Sequence, residues 1–404
     1  MSSIALFPCI YTPVAAVIGE LQNDLELKTY NDQELFTQTH TRFGVDPEKL
    51  KKLMYGRTSV FNQFTLEKEL AINMFRLTLA DKLNAPEPHL FHGFLASLIP
   101  PEVTHVLRVL IVDKKQARID AAMQEGLPRS AAKKTIRNHD ISAYSWTDFL
   151  FHKEAYDRAL YDLVLPVENR TKKELIDEIS KCYHKTSVLQ TSESQHAVQN
   201  MLLAAEVERI LLLNGHNMII KAKNGDILLT ARQSVLNHSS LQAKLTDLVK
   251  QVKGVESVEL AHGTTSSDSI YRNQKFELPS KVLFVDDEKE FVQTVSQRLI
   301  SRDVGTYGVY NGEDALEIIA EDRPDVMVLD LKMPGLYGVE VLRRSKEMAP
   351  EVEVIILTGH GTSKDMKDCM DLGAFAYLNK PVDIEELSAT IKAANEKARS
   401  LARA

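Results

Sequence analysis

The chain has 404 residues, of which 44% are apolar and 26% charged, and it carries a formal net charge of −7. That length suits two or three domains, and the apolar share is enough to build a core in each. No window approaches 18 uncharged apolar residues and the first residues lack a basic-then-apolar leader, which excludes a membrane span and leads us to expect a cytoplasmic protein.

Residues 1–183 read as mostly helical, with strands at Ser3–Phe7, Leu90–Phe94, Val106–Val112 and Tyr161–Val164. The turn after the first strand runs Pro8-Cys-Ile-Tyr-Thr-Pro13 and holds neither glycine nor lysine. Pro8 and Pro13 each remove an amide donor, and Tyr11 fills space a phosphate would need, so this turn forms no anion nest. Cys9, Cys182 and Cys369 are far apart and make no CxxC pair, which fits a reducing compartment and neither a disulfide framework nor a zinc site.

The second half of this block, with Gly93 and the stretches 105–120, 127–140 and 159–179, resembles the cytidylate kinase-like group of nucleoside monophosphate kinases. The resemblance implies phosphate handling by an arginine after the strand, by a basic lid helix and by an aspartate near its end. Arg118, Arg129, Lys133, Lys134, Arg137 and Asp140 occupy those places. Nucleotide binding in such enzymes needs a glycine-rich loop followed by lysine, which this chain lacks. The expectation is a kinase-like scaffold that has lost phosphoryl transfer and serves as an interaction or sensing surface, with Arg118, Arg129 and Arg137 as candidates for holding an anion.

Two polar stretches, 184–195 and 263–280, read as linkers. Between them, residues 197–262 read as helix, strand, strand, helix, strand, with an Asn224-Gly225 hairpin turn. This pattern resembles a BON domain, a small αβ module associated with binding rather than catalysis.

From residue 281 on, short apolar runs predict strands at Lys281–Val285, Val304–Val309, Asp325–Leu329, Val352–Leu357 and Ala374–Leu378, alternating with helical spacing. Five alternations in about 120 residues argue for a parallel sheet covered on both faces. Ligands of such sheets sit beyond the carboxyl ends of the strands, where Asp286, Asp287, Asp330, Thr358 and Lys380 all fall. Three converging carboxylates repel by roughly 4 kcal/mol per pair at about 4 Å and an effective dielectric near 20. A hard divalent cation suits them, and magnesium is the usual one beside phosphate. Asp330, between that metal and Lys380, is the expected nucleophile for a phosphoryl group, with Thr358 donating to a phosphoryl oxygen and Gly359 leaving room. Proline after Lys380 forces a turn, where a cis bond is allowed.

The segments at 282–288, 329–335, 357–361 and 377–381 resemble the receiver domain of two-component response regulators over residues 280 to about 400. The resemblance implies a flavodoxin-like, doubly wound, five-stranded parallel sheet and phosphorylation of Asp330 by a sensor histidine kinase or phosphotransfer protein. It also implies Mg2+ held by Asp286, Asp287, Asp330 and the Lys332 carbonyl, a switch pair of Thr358 and Tyr377, and Lys380 as phosphate partner. A homodimer through the fourth helix and last strand is a further expectation of the family.

The last 124 residues hold 16 Lys and Arg against 23 Asp and Glu, leaving 33 of each upstream. A neutral upstream half without a basic arm or recognition helix argues against DNA as partner. The expected organisation is α/β throughout: a kinase-like domain at 1–183, a BON-like module at 197–262, a linker at 263–280 and a receiver at 281–404. The expected function is a phosphorelay response regulator acting on an unknown downstream protein. The alternative is a nucleotide (cytidylate-like) kinase regulated by the receiver.

Overall fold

Ser3 to Phe7 are all buried, so the first apolar run lies at the centre of a sheet and not on its edge. The computed structural model describes residues 2–231, 238–261, 281–300, 302, 304–359 and 362–401. The chain forms two compact units, residues 1–58 with 67–267, and residues 59–66 with 268–404. The linker read at 263–280 lies outside the described residues.

The sheet of the first unit is parallel, in the order β2-β3-β1-β4-β5, with β1 Ser3–Phe7, β2 Lys28–Asn31, β3 His89–His92, β4 Val106–Val112 and β5 Leu163–Pro166. The helices that cover it are α1 (Val14–Asp24), α2 (Asp32–Phe43), α3 (Pro47–Tyr55), α5 (Glu67–Leu83), α6 (Lys115–Gln124), α7 (Arg129–Phe151) and α8 (Lys172–Tyr183). A one-turn helix, α4 (Asn62–Thr65), belongs to the second unit. Strand β2 has no counterpart in the sequence reading because it is a four-residue edge strand in which only Tyr30 is buried. Helix α5 buries residues around most of its circumference, so it lacks the one-sided apolar stripe of a surface helix.

The stretch 184–195, read as a linker, is instead built into the fold. Helix α9 spans Ser192–Leu213 and begins with a capping box in which Thr191 accepts from the Ser194 amide. Ser194 is buried and its hydroxyl is hydrogen-bonded to His105 Nδ1 at 2.8 Å. Serine and threonine here are cap residues, which share their composition with linkers. Along α9, Ala205 O and Glu208 Oε2 both accept from Asn73 of α5, at 2.7 and 3.0 Å. The rest of this block matches the reading: β6 (Met218–Lys223) and β7 (Asp226–Ala231) form a hairpin across Asn224-Gly225, both at positive φ. Helix α10 (His238–Val249) then leads to β8 (Ser257–Ala261), parallel to β7.

In the second unit, β9 (Val282–Val285), β10 (Thr306–Val309), β11 (Val326–Leu329), β12 (Glu353–Thr358) and β13 (Ala376–Asn379) are parallel in the order β10-β9-β11-β12-β13. This is the flavodoxin-like order expected, with each strand within two residues of its predicted position. The helices are α11 (Lys289–Ile300), α12 (Gly312–Asp322), α13 (Gly338–Met348), α14 (Ser363–Asp371) and α15 (Ile384–Leu401). Strands β9, β11 and β12 are buried along their whole length, as sheet strands covered on both faces must be. Strand order reverses between β9 and β11, which opens a crevice at their carboxyl ends.

Candidate functional site

Strand β9 ends at Val285 and hands the chain to Asp286 and Asp287, while β11 ends at Leu329 and is followed by Asp330. Val285 and Leu329 are register partners, so the residues after each strand emerge side by side. One ligand oxygen from each of Asp286, Asp287 and Asp330 lies within 4.8 Å of the other two. Asp286 and Asp330 are buried and Asp287 is half-buried. Asp286 Oδ1 accepts the Glu288 amide at 3.0 Å, and Asp330 Oδ1 accepts the Leu331 amide at 2.8 Å.

Lys380 follows β13, and its amide donates to the Thr358 carbonyl at 2.9 Å, which ties the end of β13 to β12. Its Nζ lies 2.6 Å from Asp286 Oδ2, 3.2 Å from Glu288 Oε1 and 3.7 Å from Asp330 Oδ2. The ammonium also sits 4.5 Å from the centroid of the Phe291 ring. The Lys380–Pro381 peptide is cis. Burial alone would lower the Lys380 pKa, but the carboxylates of Asp286, Asp330 and Glu288 outweigh it and hold it above the usual lysine value. Burial raises the Asp286 pKa, and the charge of Asp330 adds to this, against the opposing effect of Lys380.

The donor set fits a divalent cation. Asp286 Oδ2 is buried, and its partner among the described residues is the Lys380 ammonium at 2.6 Å. Three carboxylates meet one ammonium, so the cluster keeps an excess of negative charge and of oxygen lone pairs. Lys332 lies two residues beyond Asp330 with its side chain exposed.

Thr358 ends β12 and is fully buried. Tyr377 pairs with Ile356, and because residues two apart share a face of a strand, Tyr377 and Thr358 point to the same side of the sheet. Among the described residues the Tyr377 hydroxyl is buried without a hydrogen-bond partner, and burial raises its pKa. A Cβ on Gly359 would touch Lys380 Cβ at 3.7 Å, so this position is snug without being closed.

Two contributors were not found by sequence reasoning. A Cβ on Gly338 would lie 2.3 Å from the Asp330 carbonyl oxygen and 2.6 Å from Leu331 Cα, so only glycine lets the start of α13 close on the turn after Asp330. Its amide donates to the Leu331 carbonyl at 3.0 Å. Glu288, a third carboxylate on Lys380, is the other; its adjacency to Asp286 and Asp287 was the available signal.

The residues expected to hold an anion in the first unit do not act as a group. Arg118 is buried and makes a two-pronged pair with Asp140, at 2.8 and 3.2 Å, while its Nε donates to the Ile10 carbonyl at 2.9 Å. Tyr156 donates to the same Asp140 carboxylate at 2.9 Å. Burial would raise the Asp140 pKa, but His139, Arg118 and Tyr156 reverse this and hold it far below the ordinary carboxylate value. Arg129 and Arg137 are exposed on α7, Arg129 donating to Gln116 at 3.3 Å. Tyr11 sits in the left-handed region at φ 59°, and Ile10 and Tyr11 pack against Ile119, Ala122, Ala132 and Ile136 of α6 and α7. The turn after β1 is therefore filled by its own side chains and tied to Arg118.

Comparison with known families gives two matches. The response regulator receiver domain family matches residues 282–392, and the cytidylate kinase-like family matches residues 16–169, beginning after the turn just described. Sporulation initiation phosphotransferase F of Bacillus subtilis is 34% identical over 112 residues, 28% of this chain and 90% of that protein. Response regulator MprA of Mycolicibacterium vanbaalenii is 34% identical over 116 residues, 29% of this chain and half of that protein. A receiver domain structure from Clostridium thermocellum is 35% identical, covering 30% of this chain and 98% of its own, with a TM-score of 0.29. No described helix is long and apolar enough to cross a membrane.

Proposed function

The chain belongs to the response regulator family, and from that premise we propose that Asp330 is the phosphoacceptor of its phosphorelay. The observation that carries this reading is the convergence of Asp286, Asp287 and Lys380 on Asp330 at the carboxyl ends of β9, β11 and β13. An Asp330 carboxylate oxygen attacks the phosphorus of a phosphohistidine on a sensor histidine kinase or phosphotransfer protein. The O–P bond forms, the N–P bond breaks with its electron pair returning to the imidazole, and an aspartyl phosphate results.

Asp286, Asp287 and Asp330, with the Lys332 carbonyl, would hold Mg2+, which supplies positive charge beside the transferred group when bound. Lys380 supplies the second positive charge and receives a phosphoryl oxygen as partner. Thr358 donates its hydroxyl hydrogen to another phosphoryl oxygen, and Tyr377, on the same face, moves with it. The Tyr377 hydroxyl, buried with no partner among the described residues, supports this, since such a group gives up no hydrogen bond there by changing position.

The signal passes through the upstream blocks, a kinase-like block at 1–183 and an αβ module at 197–262, to a downstream protein. The filled turn after β1 and the internal Arg118–Asp140 pair favour a scaffold or sensing role for the first block over nucleotide phosphorylation. The test of Asp330 is labelling of the full chain by acetyl phosphate with Mg2+. Wild type takes up one acid-stable, alkali-labile phosphate and Asp330→Asn takes up none; equal labelling of the variant removes the assignment.

A further inference from the structure

Phe61 is fully buried, and the apolar cluster it belongs to is that of the receiver: it shares this cluster with Ala315, Ile319 and Val341 and meets the Tyr307 ring edge-on at 6.2 Å. Three further features hold the short segment around it. The Val60 amide donates to Asp322 Oδ2, at the last residue of α12, at 2.9 Å. Gly305, just before β10, has no side chain, and a Cβ placed there would lie 2.7 Å from Phe64 Cγ. Ser59 Oγ accepts the Phe61 amide at 3.0 Å, and the turn closes at Leu66 in the left-handed region, with φ 51°. Ser59–Leu66 thus packs as a strap at the side of the receiver formed by α12 and the outermost strand, β10.

We propose that Ser59–Leu66 is an internal docking segment for the receiver, and that phosphorylation changes the grip on it. The second half rests on Asp330 being the phosphoacceptor. The cluster that takes in Phe61 also contains Leu329 and Leu331, the residues on either side of Asp330. Close-packed interiors answer a local displacement by moving between discrete packings and do not absorb it locally. The strap follows α3 in sequence and runs directly into α5, so a change in its hold is delivered to those two helices through the backbone, without a separate partner. The opposite edge strand is β13, which carries Tyr377.

The experiment is hydrogen–deuterium exchange on the full chain with Mg2+, read on peptides covering 59–66, with phosphate uptake followed by intact mass in the same samples. Phe61→Ser removes the anchor, and Gly305→Leu blocks the strap from the receiver side while leaving its sequence intact. Both variants are expected to speed strap exchange at least ten-fold while β9 and β11 stay protected. Acetyl phosphate is expected to change strap exchange at least three-fold in wild type and not in Asp330→Asn. Strap amides that already exchange in wild type as fast as in both variants would overturn docking. Full phosphate uptake with unchanged strap exchange would overturn the coupling. Failure of phosphate uptake is a separate result that counts against Asp330 itself, and the variant comparison still decides docking.

Discussion

Lys380 Nζ lies 2.6 Å from Asp286 Oδ2, closer than its 3.7 Å approach to Asp330 Oδ2. The lysine is thus held by one carboxylate of the acidic cluster and stands one short movement away from Asp330, the proposed acceptor. A doubly charged phosphate on Asp330 would outcompete Asp286 for it, so on the proposed reading activation would be an exchange of partners by one ammonium group. Moving a two-state protein from 1:99 to 99:1 takes about 5.5 kcal/mol, within reach of a phosphate engaging Lys380, Thr358 and a metal together.

Lys380→Ala should therefore leave Asp330 open to labelling but blunt the response, measured as the change in strap or β13 amide exchange on phosphorylation; an undiminished response would remove Lys380 from the switch. The same residue has a pH signature. Its pKa is raised in the folded protein, so its stabilising contribution is complete below the unfolded value near about 10.4 and is lost as pH rises through the folded value. Lys380→Met should flatten that alkaline loss in denaturant titrations.

Asp286 works in the opposite sense. Burial raises its pKa, so the folded chain binds a proton more readily than the unfolded chain, and stability falls as pH rises from the unfolded value near about 3.9 through the folded one. Asp286→Asn should stabilise the metal-free protein at neutral pH by about 1 kcal/mol and abolish the gain in thermal stability that Mg2+ gives wild type. A variant that kept the full Mg2+ gain would take Asp286 out of the metal site.

Gly338→Ala puts a methyl group 2.3 Å from the Asp330 carbonyl oxygen, where backbone and not a flexible side chain must yield. The expected cost is about 3 kcal/mol in urea unfolding, with slower labelling by acetyl phosphate because the acceptor turn is displaced. Unaltered stability would mean that α13 shifts freely.

Arg118 is nearly inaccessible while Asp140 is its main charge partner, so Asp140→Asn strands a buried guanidinium and should cost about 3 kcal/mol. The Asp140 pKa is depressed, so its contribution is present above the unfolded value near about 3.9 and fades as pH falls through the folded value. Wild type should lose its advantage over the variant only in that acid range. Calorimetry with ATP or CMP should register no binding to the intact chain, and transfer of phosphate from ATP to CMP should be absent. Transfer lost in Arg137→Ala would restore the enzyme reading.

The receiver was legible almost residue by residue because its strands are buried on both faces and therefore appear as unbroken apolar runs between turns. Asp286, Asp287, Asp330, Thr358 and Lys380 were legible for the same reason, each standing at the end of such a run. Strand β2 was hidden because an edge strand with one buried residue has no apolar run. The stretch 184–195 misled because Thr191 and Ser194 cap α9, and cap chemistry and linker chemistry use the same residues. The strap was beyond reach for another cause: Phe61 and Phe64 are ordinary apolar residues until Tyr307 and Gly305, more than two hundred positions away in the chain, come beside them. Gly338 had no local mark, since its constraint comes from a backbone eight residues earlier that folds back onto it.

The Arg118–Asp140 pair also has a consequence for how the first unit opens. Arg118 of α6 reaches the Ile10 carbonyl in the turn after β1 and Asp140 of α7, and Asp140 in turn accepts from Tyr156, so one buried charge pair ties four segments that are distant in sequence. These segments should loosen together as one cooperative patch and not one by one.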